Sequence, residues 1–300
     1  EHYLLAYEVP YFNKNKTIGI NTNLQFFRRK KTHYANYNNS LQYFESDNFN
    51  SIDYDLNTEI VYRNNIHQKH KIKFTYLKST VSDSITILNS NYLGDSNTTT
   101  DLFNISYQLE HEKRDYIIYP LHGYALSFEI KKYFSADVNH VELLTKSEKH
   151  IEPFNRFYIG SSLKTKYSTK GNQPYFIQKA LGYEDYVRGY EYYVVDGQSY
   201  CLSKTAIKYA LIEKTNFEIP YVKMKQFKKS HYSLYLGIFS DLGYVLNGQY
   251  QAQNTLNNSL LWGKGIALDY VTYYDKLLRI EYSINQLGEK AVFLHFSSPF

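Results

Sequence analysis

Apolar and polar residues alternate along most of the chain. Between residues 53 and 62, Tyr, Leu, Thr and Ile take the even positions, whereas Asp, Asn and Glu take most of the odd ones. A period of two residues is typical of β-strands whose two faces meet different surroundings. The alternation marks about fourteen segments of roughly 9–14 residues, at 2–12, 17–28, 33–45, 53–64, 70–78, 102–112, 123–134, 137–147, 154–168, 202–213, 231–245, 261–274, 276–287 and 290–297.

The pattern predicts a single all-β domain over residues 1–300. No segment carries an apolar stripe of helical period, and no run approaches the roughly 18–20 apolar residues that a membrane-spanning helix needs. Short turn-type sequences separate the segments, and no Pro/Ser-rich linker divides the chain. Two longer interruptions, at 79–101 and 169–200, are expected to be loops.

The length of the segments and the charge on their polar face favour a barrel over a sandwich. Strands of soluble sandwiches usually have about five or six residues and a polar outer face. Here the strands are about twice as long, and bulky charged residues lie on the polar face of nearly every one. A soluble sandwich is the alternative, but so many strands would hardly share one dry core. We predict a closed transmembrane antiparallel β-barrel, with its apolar face in lipid and its polar face toward a wet lumen.

The composition fits that prediction. Aromatic residues make up 18% of the chain, with 34 Tyr, 18 Phe and one Trp, although the mean hydropathy is −0.52. Disordered chains lack such aromatic content, and Tyr suits the membrane interface because its ring is apolar and its hydroxyl is wet. The lone Cys201 cannot form an internal disulfide. The net charge of +5 is scattered rather than gathered on one face, so no nucleic-acid partner is predicted.

Four short motifs occur between residue 114 and the C-terminus. They are Arg114-Asp115 followed by Tyr119-Pro120 and Gly123; Gly182-Tyr183 followed by Val187-Arg188-Gly189-Tyr190; Phe239-Ser240-Asp241-Leu242-Gly243-Tyr244-Val245; and the terminal Leu294, Phe296 and Phe300. In this order they resemble motifs of the BamA/TamA outer-membrane assembly family, the bacterial surface-antigen superfamily, in a Bacteroidetes-like form. The matching family patterns are an Arg-Asp…Pro-x-x-Gly hairpin, a Val-Arg-Gly-Phe/Tyr loop, a Phe-x-Asp-x-Gly-x-Val strand and a C-terminal aromatic insertion signal. The last pattern is met in part, because Ser298 stands where an apolar residue is common.

The resemblance implies a role for Arg188. In relatives this loop folds into the lumen, and its arginine pairs with an acidic side chain on the inner wall. Alternation gives an independent expectation, because apolar residues take the even positions of 231–245 and the odd-numbered Asp241 therefore points inward. A planar guanidinium suits bidentate pairing with a carboxylate. We predict an Arg188–Asp241 pair; the alternative is an arginine solvated in a surface loop.

The sequence leaves open whether a second acidic side chain pairs with Arg188. Many relatives carry one on the strand after the loop, where this sequence has Ala206 between the inward Lys204 and Lys208. Two other inward acids, Asp269 and Glu281, are candidates to compensate for its absence.

The resemblance also implies further chain before residue 1. The family barrel has sixteen strands and follows periplasmic POTRA domains that receive client proteins, whereas about fourteen strands are predicted here. We expect an N-terminal portion, with POTRA or another domain and the first strands, to precede this sequence. A reduced relative is the alternative.

By resemblance, the expected function is the insertion or translocation of proteins at the bacterial outer membrane, through a seam between the first and last barrel strands. The implied partners are the lipid bilayer and lipopolysaccharide, client outer-membrane or secreted proteins, and accessory lipoproteins. No cofactor is implied. Two alternatives are a barrel that anchors an N-terminal hydrolase domain of the patatin or phosphoesterase type, and a passive porin or scaffold of an envelope complex.

No catalytic or metal site is predicted, and the chain is therefore not expected to be an enzyme. Residues 197–201 are not a nucleophile elbow, because Cys201 stands where that motif requires Gly. His67 and His70 flank a turn between strands rather than sharing a helix face, and no Cys/His set has zinc-site spacing.

Overall fold

The structure, a computed structural model, is built almost entirely of antiparallel strands. It describes residues 1–135, 138–169, 173–218, 229–249, 252–272 and 276–297, with Lys229 as backbone only. The strands are β1 (His2–Val9), β2 (Ile18–Arg29), β3 (Lys31–Tyr37), β4 (Ser40–Glu45), β5 (Ser51–Asn65), β6 (Gln68–Val81), β7 (Thr99–Glu112), β8 (Gly123–Phe134), β9 (Val141–Phe154), β10 (Phe157–Ser168), β11 (Ser199–Glu218), β12 (Lys229–Leu246), β13 (Leu260–Thr272), β14 (Lys276–Asn285) and β15 (Lys290–Ser297). The helical elements are α1 (Asp83–Leu88) and a 3₁₀ turn (Tyr175–Ile177). Within the described ranges, no helix has the length and apolar character needed to cross a membrane.

Thirteen strands form one sheet, in which each strand pairs with the next along the chain once the β3–β4 pair is set aside. This meander confirms the prediction of an all-β antiparallel fold. The bounds of β8 and β15 coincide with the predicted segments 123–134 and 290–297. The other strands differ from their predicted segments at one end or both: β11 extends on both sides of 202–213, whereas β1 and β14 end before the predicted residues 12 and 287.

The predicted segment 33–45 differs from the others, because it forms the β3–β4 hairpin rather than one strand of the large sheet. Asn38 and Asn39 both have positive φ, at 52° and 56°. Two consecutive residues of positive φ make the tight hairpin turn for which Asn is favoured. The alternation of this segment therefore indicated strands correctly, but it carried no information on which sheet they join.

In β12, alternate side chains are exposed on one face of the sheet and buried on the other. The side chains of Leu236, Ile238 and Leu242 are exposed, whereas Phe239 and Asp241 between them are buried. Exposed apolar side chains recur on the same face of most other strands. The sheet therefore has an apolar outer face and an inner face that mixes polar and apolar side chains, which is the arrangement of a barrel wall in lipid.

Residues 173–198, the inner loop, connect β10 to β11 and pack on the inner face. Its side chains form one buried apolar cluster with residues of the wall. That cluster comprises Ala180, Leu181, Val187, Tyr190, Val195, Tyr200, Leu202, Val245, Leu256 and Leu261. The β3–β4 hairpin lies beside it, since Asn36 Nδ2 donates to the Val194 carbonyl at 2.9 Å and Val194 N donates to the Asn39 carbonyl at 2.9 Å. The inner loop thus packs on the three neighbouring strands β11, β12 and β13 from one side of the sheet.

Candidate functional site

Arg188 of the inner loop forms a bidentate ion pair with Asp241 of β12. Arg188 Nε donates to Asp241 Oδ2 at 2.8 Å, and Arg188 Nη2 donates to Oδ1 at 2.6 Å. The backbone N of Arg188 also donates to Oδ2, at 3.2 Å. The pair is enclosed, because Arg188 is 7% exposed and Asp241 is 0% exposed. The guanidinium carbon lies 3.8 Å from the centre of the Phe239 ring, which adds a cation–π contact.

Glycines allow the loop to approach the wall this closely. Gly189 has a φ of +90°, a conformation that other residues rarely adopt, and it turns the loop directly after the arginine. A Cβ on Gly263 of β13 would lie 1.8 Å from the Arg188 carbonyl oxygen, so a side chain there would displace the loop. Gly243, from the predicted strand motif, lies under Val187. The sequence motif singled out Gly243 but not Gly263.

Asp269, one of the two candidate second acids, is paired with another arginine. Arg279 of β14 donates to it twice, from Nε at 2.6 Å and from Nη2 at 2.9 Å. The hydroxyl of Tyr119 donates to Asp269 Oδ2 at 2.8 Å. Among the described residues, Asp241 is the carboxylate that pairs with Arg188, and Asp269 belongs to a separate network.

The lysines that flank Ala206 contact aromatic rings. Lys204 Nζ lies 4.4 Å from the centre of the Tyr186 ring, and Lys208 Nζ lies 3.8 Å from that of Tyr119. Cation–π contacts of this kind partly satisfy a buried ammonium. Lys204 is opposite Asp241 in the β11–β12 register, so its charge also adds to the positive surroundings of that carboxylate.

The second candidate acid, Glu281 of β14, lies in a different cluster with Glu191 of the inner loop and His295 of β15. One potential ligand atom of each residue lies within 4.8 Å of the others. Burial, and then the charge of Glu281, raise the pKa of Glu191 to about 7. Sequence reasoning identified Glu281 by its inward position but missed the other two residues. The alternation of 290–297 was the available signal, because it places odd-numbered residues such as His295 inward.

The inner loop also contacts the hairpin made by β14 and β15. Asn285 Nδ2 donates to the Gly189 carbonyl at 2.9 Å, and the hydroxyl of Tyr193 donates to Glu289 Oε1 at 2.7 Å. The ring of Tyr192 lies 5.4 Å from that of Phe293, centre to centre. These contacts were not predicted, because nothing local in the sequence links the loop to the last strands. They attach the motif that carries Arg188 to one end of the sheet.

The Arg114-Asp115 motif forms a hairpin loop between β7 and β8. Asp115 Oδ1 accepts hydrogen bonds from the backbone N of Tyr116 at 2.9 Å and of Leu121 at 3.0 Å, and it thereby shapes the turn. Pro120 is half-buried in that turn, and Gly123 begins β8 with a φ of +95°. Asp115, Pro120 and Gly123 therefore shape the hairpin, whereas Tyr119 of the same motif reaches Asp269 on β13.

The C-terminal signal residues lie on the outer face of β15 as far as they are described. Leu294 and Phe296 are 69% and 66% exposed. Phe300 lies outside the described residues.

A basic cavity of about 410 Å³ lies beside the ion pair on the inner face. Its lining includes Arg114, Lys146, Arg188, Lys204, Lys208 and Arg279. The same lining holds one acid, Glu148. Most of these cations are paired with carboxylates, because Arg188 pairs with Asp241, Arg279 with Asp269, and both Arg114 and Lys146 with Glu148.

The comparisons with known proteins bear on the fold. No family model matches the sequence, and no curated protein matches it. Among solved structures, that of BamA from Haemophilus ducreyi lacking POTRA domains 1–3 is similar, with a TM-score of 0.70 over 99% of this chain and 12% sequence identity. The match spans 62% of that BamA chain. The chain therefore has the all-β, BamA-like barrel fold that its alternation and motifs predicted.

Proposed function

We propose that this chain is the β-barrel part of a bacterial outer-membrane factor that inserts or translocates proteins, without a catalytic step of its own. The fold likeness to BamA and the four sequence motifs support this proposal. The apolar outer face supports a place in the lipid bilayer, in contact with lipopolysaccharide. Client outer-membrane or secreted proteins, and accessory lipoproteins, are the partners that it would have.

The observation that carries the proposal is the connection between the buried ion pair and the end of the sheet. Arg188 is fixed to β12, and the next residue, Gly189, accepts a hydrogen bond from Asn285 at the end of β14. Tyr192 of the same loop packs on Phe293 of β15. Movement of the inner loop would therefore displace β15, and an intact Arg188–Asp241 ion pair would hold both the loop and β15 in position.

β15 supplies the edge at which a client strand would bind. Within the described residues, β15 pairs with β14 alone, so its other edge presents backbone N–H and C=O groups. Such an edge is a template for an incoming strand, which adds to the sheet through main-chain hydrogen bonds. A nascent outer-membrane strand would satisfy its backbone there before it meets lipid, where unpaired backbone groups are costly.

The test replaces Arg188 or Asp241 by Ala in cells that depend on the protein. We expect the amounts of other barrel proteins in the outer membrane to fall, while the variant itself is present at the normal amount. Arg63→Ala is the matched control, because Arg63 is exposed at the end of β5. Unchanged barrel-protein levels in Arg188→Ala and Asp241→Ala, with both variants at normal abundance, would contradict the proposed role of the pair.

A cross-link tests the site of action directly. A photoreactive residue in place of Ala291, which faces inward on β15, should capture client segments during their insertion. The same residue in place of Ser161 in β10, an internal strand, should not. Equal capture at both positions would contradict a seam at β15.

A further inference from the structure

Glu281 has a buried carboxylate for which no hydrogen-bond donor is found among the described residues. Its side chain is 0% exposed, and neither of its oxygens accepts a hydrogen bond. A buried carboxylate without a partner is strongly unfavourable, so such a group usually marks a bound water, proton or ion. Its position in β14 turns it toward the inner loop, away from the lipid face.

Two further groups without partners point at the same place. The Nε2 atom of His295 and the Oε1 atom of Glu191 also lack hydrogen bonds in the described part of the chain. His295 Nε2 lies 3.7 Å from Glu281 Oε1. The other oxygen of Glu191 accepts a hydrogen bond from the backbone N of Gly189 at 2.8 Å, which holds this side chain in place. The inner loop, β14 and β15 thus each contribute one side chain with a potential metal-ligand atom that has no hydrogen-bond partner among the described residues. These three atoms lie close to one another.

The nearest cations are engaged by other groups. Arg279 donates both of its hydrogen bonds to Asp269, and Arg188 donates to Asp241. Lys204 lies over the Tyr186 ring. The two carboxylates of the cluster therefore face each other without an arginine or lysine in direct contact among the described residues.

We propose that Glu191, Glu281 and His295 bind a divalent transition-metal ion, for which Zn²⁺ is the best match. One imidazole and two carboxylates are ligands that Zn²⁺ accepts, with a fourth position left for water. Ca²⁺ prefers six to eight oxygens, and Mg²⁺ prefers an octahedral shell with several waters, so three ligands including an imidazole suit neither. Tetrahedral Zn²⁺ separates its ligand atoms by roughly 3.3 Å, which small side-chain rotations reach from separations of up to 4.8 Å.

The ion would join the inner loop to the last two strands of the sheet. Its way in is on the side of His295, whose side chain is 28% exposed, whereas Glu281 is sealed behind it. Binding would replace the mutual repulsion of two carboxylates with bonds that span three elements. The loop and β15 would then be held more tightly than by the Tyr192–Phe293 and Tyr186–His295 ring contacts alone.

The test titrates Zn²⁺ into the purified, folded chain in detergent micelles, by calorimetry at pH 8, because metal ligands must be deprotonated to bind. We expect one Zn²⁺ per chain, and no comparable heat with Ca²⁺ or Mg²⁺. Glu281→Gln and His295→Ala should each weaken Zn²⁺ binding at least about tenfold, because each removes a ligand. His150→Ala is the matched control, since His150 also faces a glutamate, Glu148, at 3.7 Å but lies in β9 outside the cluster.

A variant in the inner loop tests the metal site even if the β14 and β15 variants, Glu281→Gln and His295→Ala, do not fold. Glu191→Gln changes only the loop and should also weaken binding at least about tenfold. Zn²⁺ should slow amide hydrogen exchange in residues 290–297 of the unaltered chain and leave β9 unchanged. Absence of Zn²⁺ binding, or equal affinity in Glu191→Gln and the unaltered chain, would overturn the metal site and leave a proton shared between the carboxylates as the explanation.

Discussion

At the scale of single residues, the Arg188–Asp241 pair combines a large cost of burial with nearly complete satisfaction of both groups. Each Asp241 oxygen accepts at least one hydrogen bond from Arg188. Burying both charges costs several kcal/mol per ion, which a bidentate geometry offsets. The pair therefore specifies the position of the loop more than it adds net stability. Removing one partner of the ion pair destabilises the fold, because the remaining charge stays buried without a counter-ion.

We expect Asp241→Leu to lower the free energy of unfolding by about 3–5 kcal/mol, because Arg188 is left without its carboxylate. The double variant Arg188→Met with Asp241→Leu should recover much of that loss, since no buried charge remains. Arg188→Lys should resemble the single loss, because an ammonium cannot reproduce the two parallel hydrogen bonds. Urea unfolding in detergent or lipid, followed by tryptophan fluorescence, measures all three. Additive losses in the double variant would show that the two residues act separately.

At the scale of elements, the inner loop can pack closely on β12 and β13 because each of these strands has a glycine, without a side chain, beneath it. Gly263 leaves the space that the Arg188 carbonyl occupies, and Gly243 leaves the space for Val187. Neither glycine is demanded by its own strand, because Gly generally weakens strands. Their presence is explained by the loop above them.

We expect Gly263→Ala to displace the inner loop, because its Cβ would lie 1.8 Å from the Arg188 carbonyl oxygen. Gly237→Ala is the matched control in the neighbouring strand, where the nearest heavy atom to the new Cβ would be 3.3 Å away. Limited proteolysis should therefore cut residues 173–198 faster in Gly263→Ala and at the ordinary rate in Gly237→Ala. Equal rates in the two variants would contradict the close packing of the loop on β13.

At the scale of the whole molecule, the inner loop and the β3–β4 hairpin lie together on the inner face of the sheet. The basic cavity beside them is of limited size, about 410 Å³. A wide water-filled channel of the porin kind needs the space on that face to be free. The packing of the inner loop reduces the free space on the inner face beside β11, β12 and β13.

We expect small and unsteady single-channel currents from the unaltered chain in a planar bilayer. Replacing residues 175–197 by a short Gly/Ser linker should give larger currents, because the side chains that pack on the inner face of the wall are then removed. The step size of single-channel recordings measures this increase. Large, steady currents from the unaltered chain would favour the passive-porin alternative.

Much of the wall was predictable from the sequence, because a period of two is a local property of each strand. The inward side of Asp241 followed from the same parity. The path of residues 33–45 was not predictable, since a hairpin on the inner face alternates as a wall strand does. Glu191 and His295 were missed because they are distant in sequence and share no motif. The packing of the inner loop against the paired strands β14 and β15 brings them to one place.

The hydrogen bonds between the β3–β4 hairpin and the rest of the interior have a consequence for the order of folding. Asn36 bonds to Val194, which is 158 residues later, and Asn39 bonds to Asn254, which is 215 residues later. Contacts of such separation carry a large loop-closure cost, and they form only when the intervening strands have already been arranged. The hairpin therefore makes these two contacts only after most of the wall has assembled, although Thr32 and Tyr34 also contact Ser51 and Asn89, which are much nearer in sequence. The interior would then form last, as the step that commits a completed wall to its final shape.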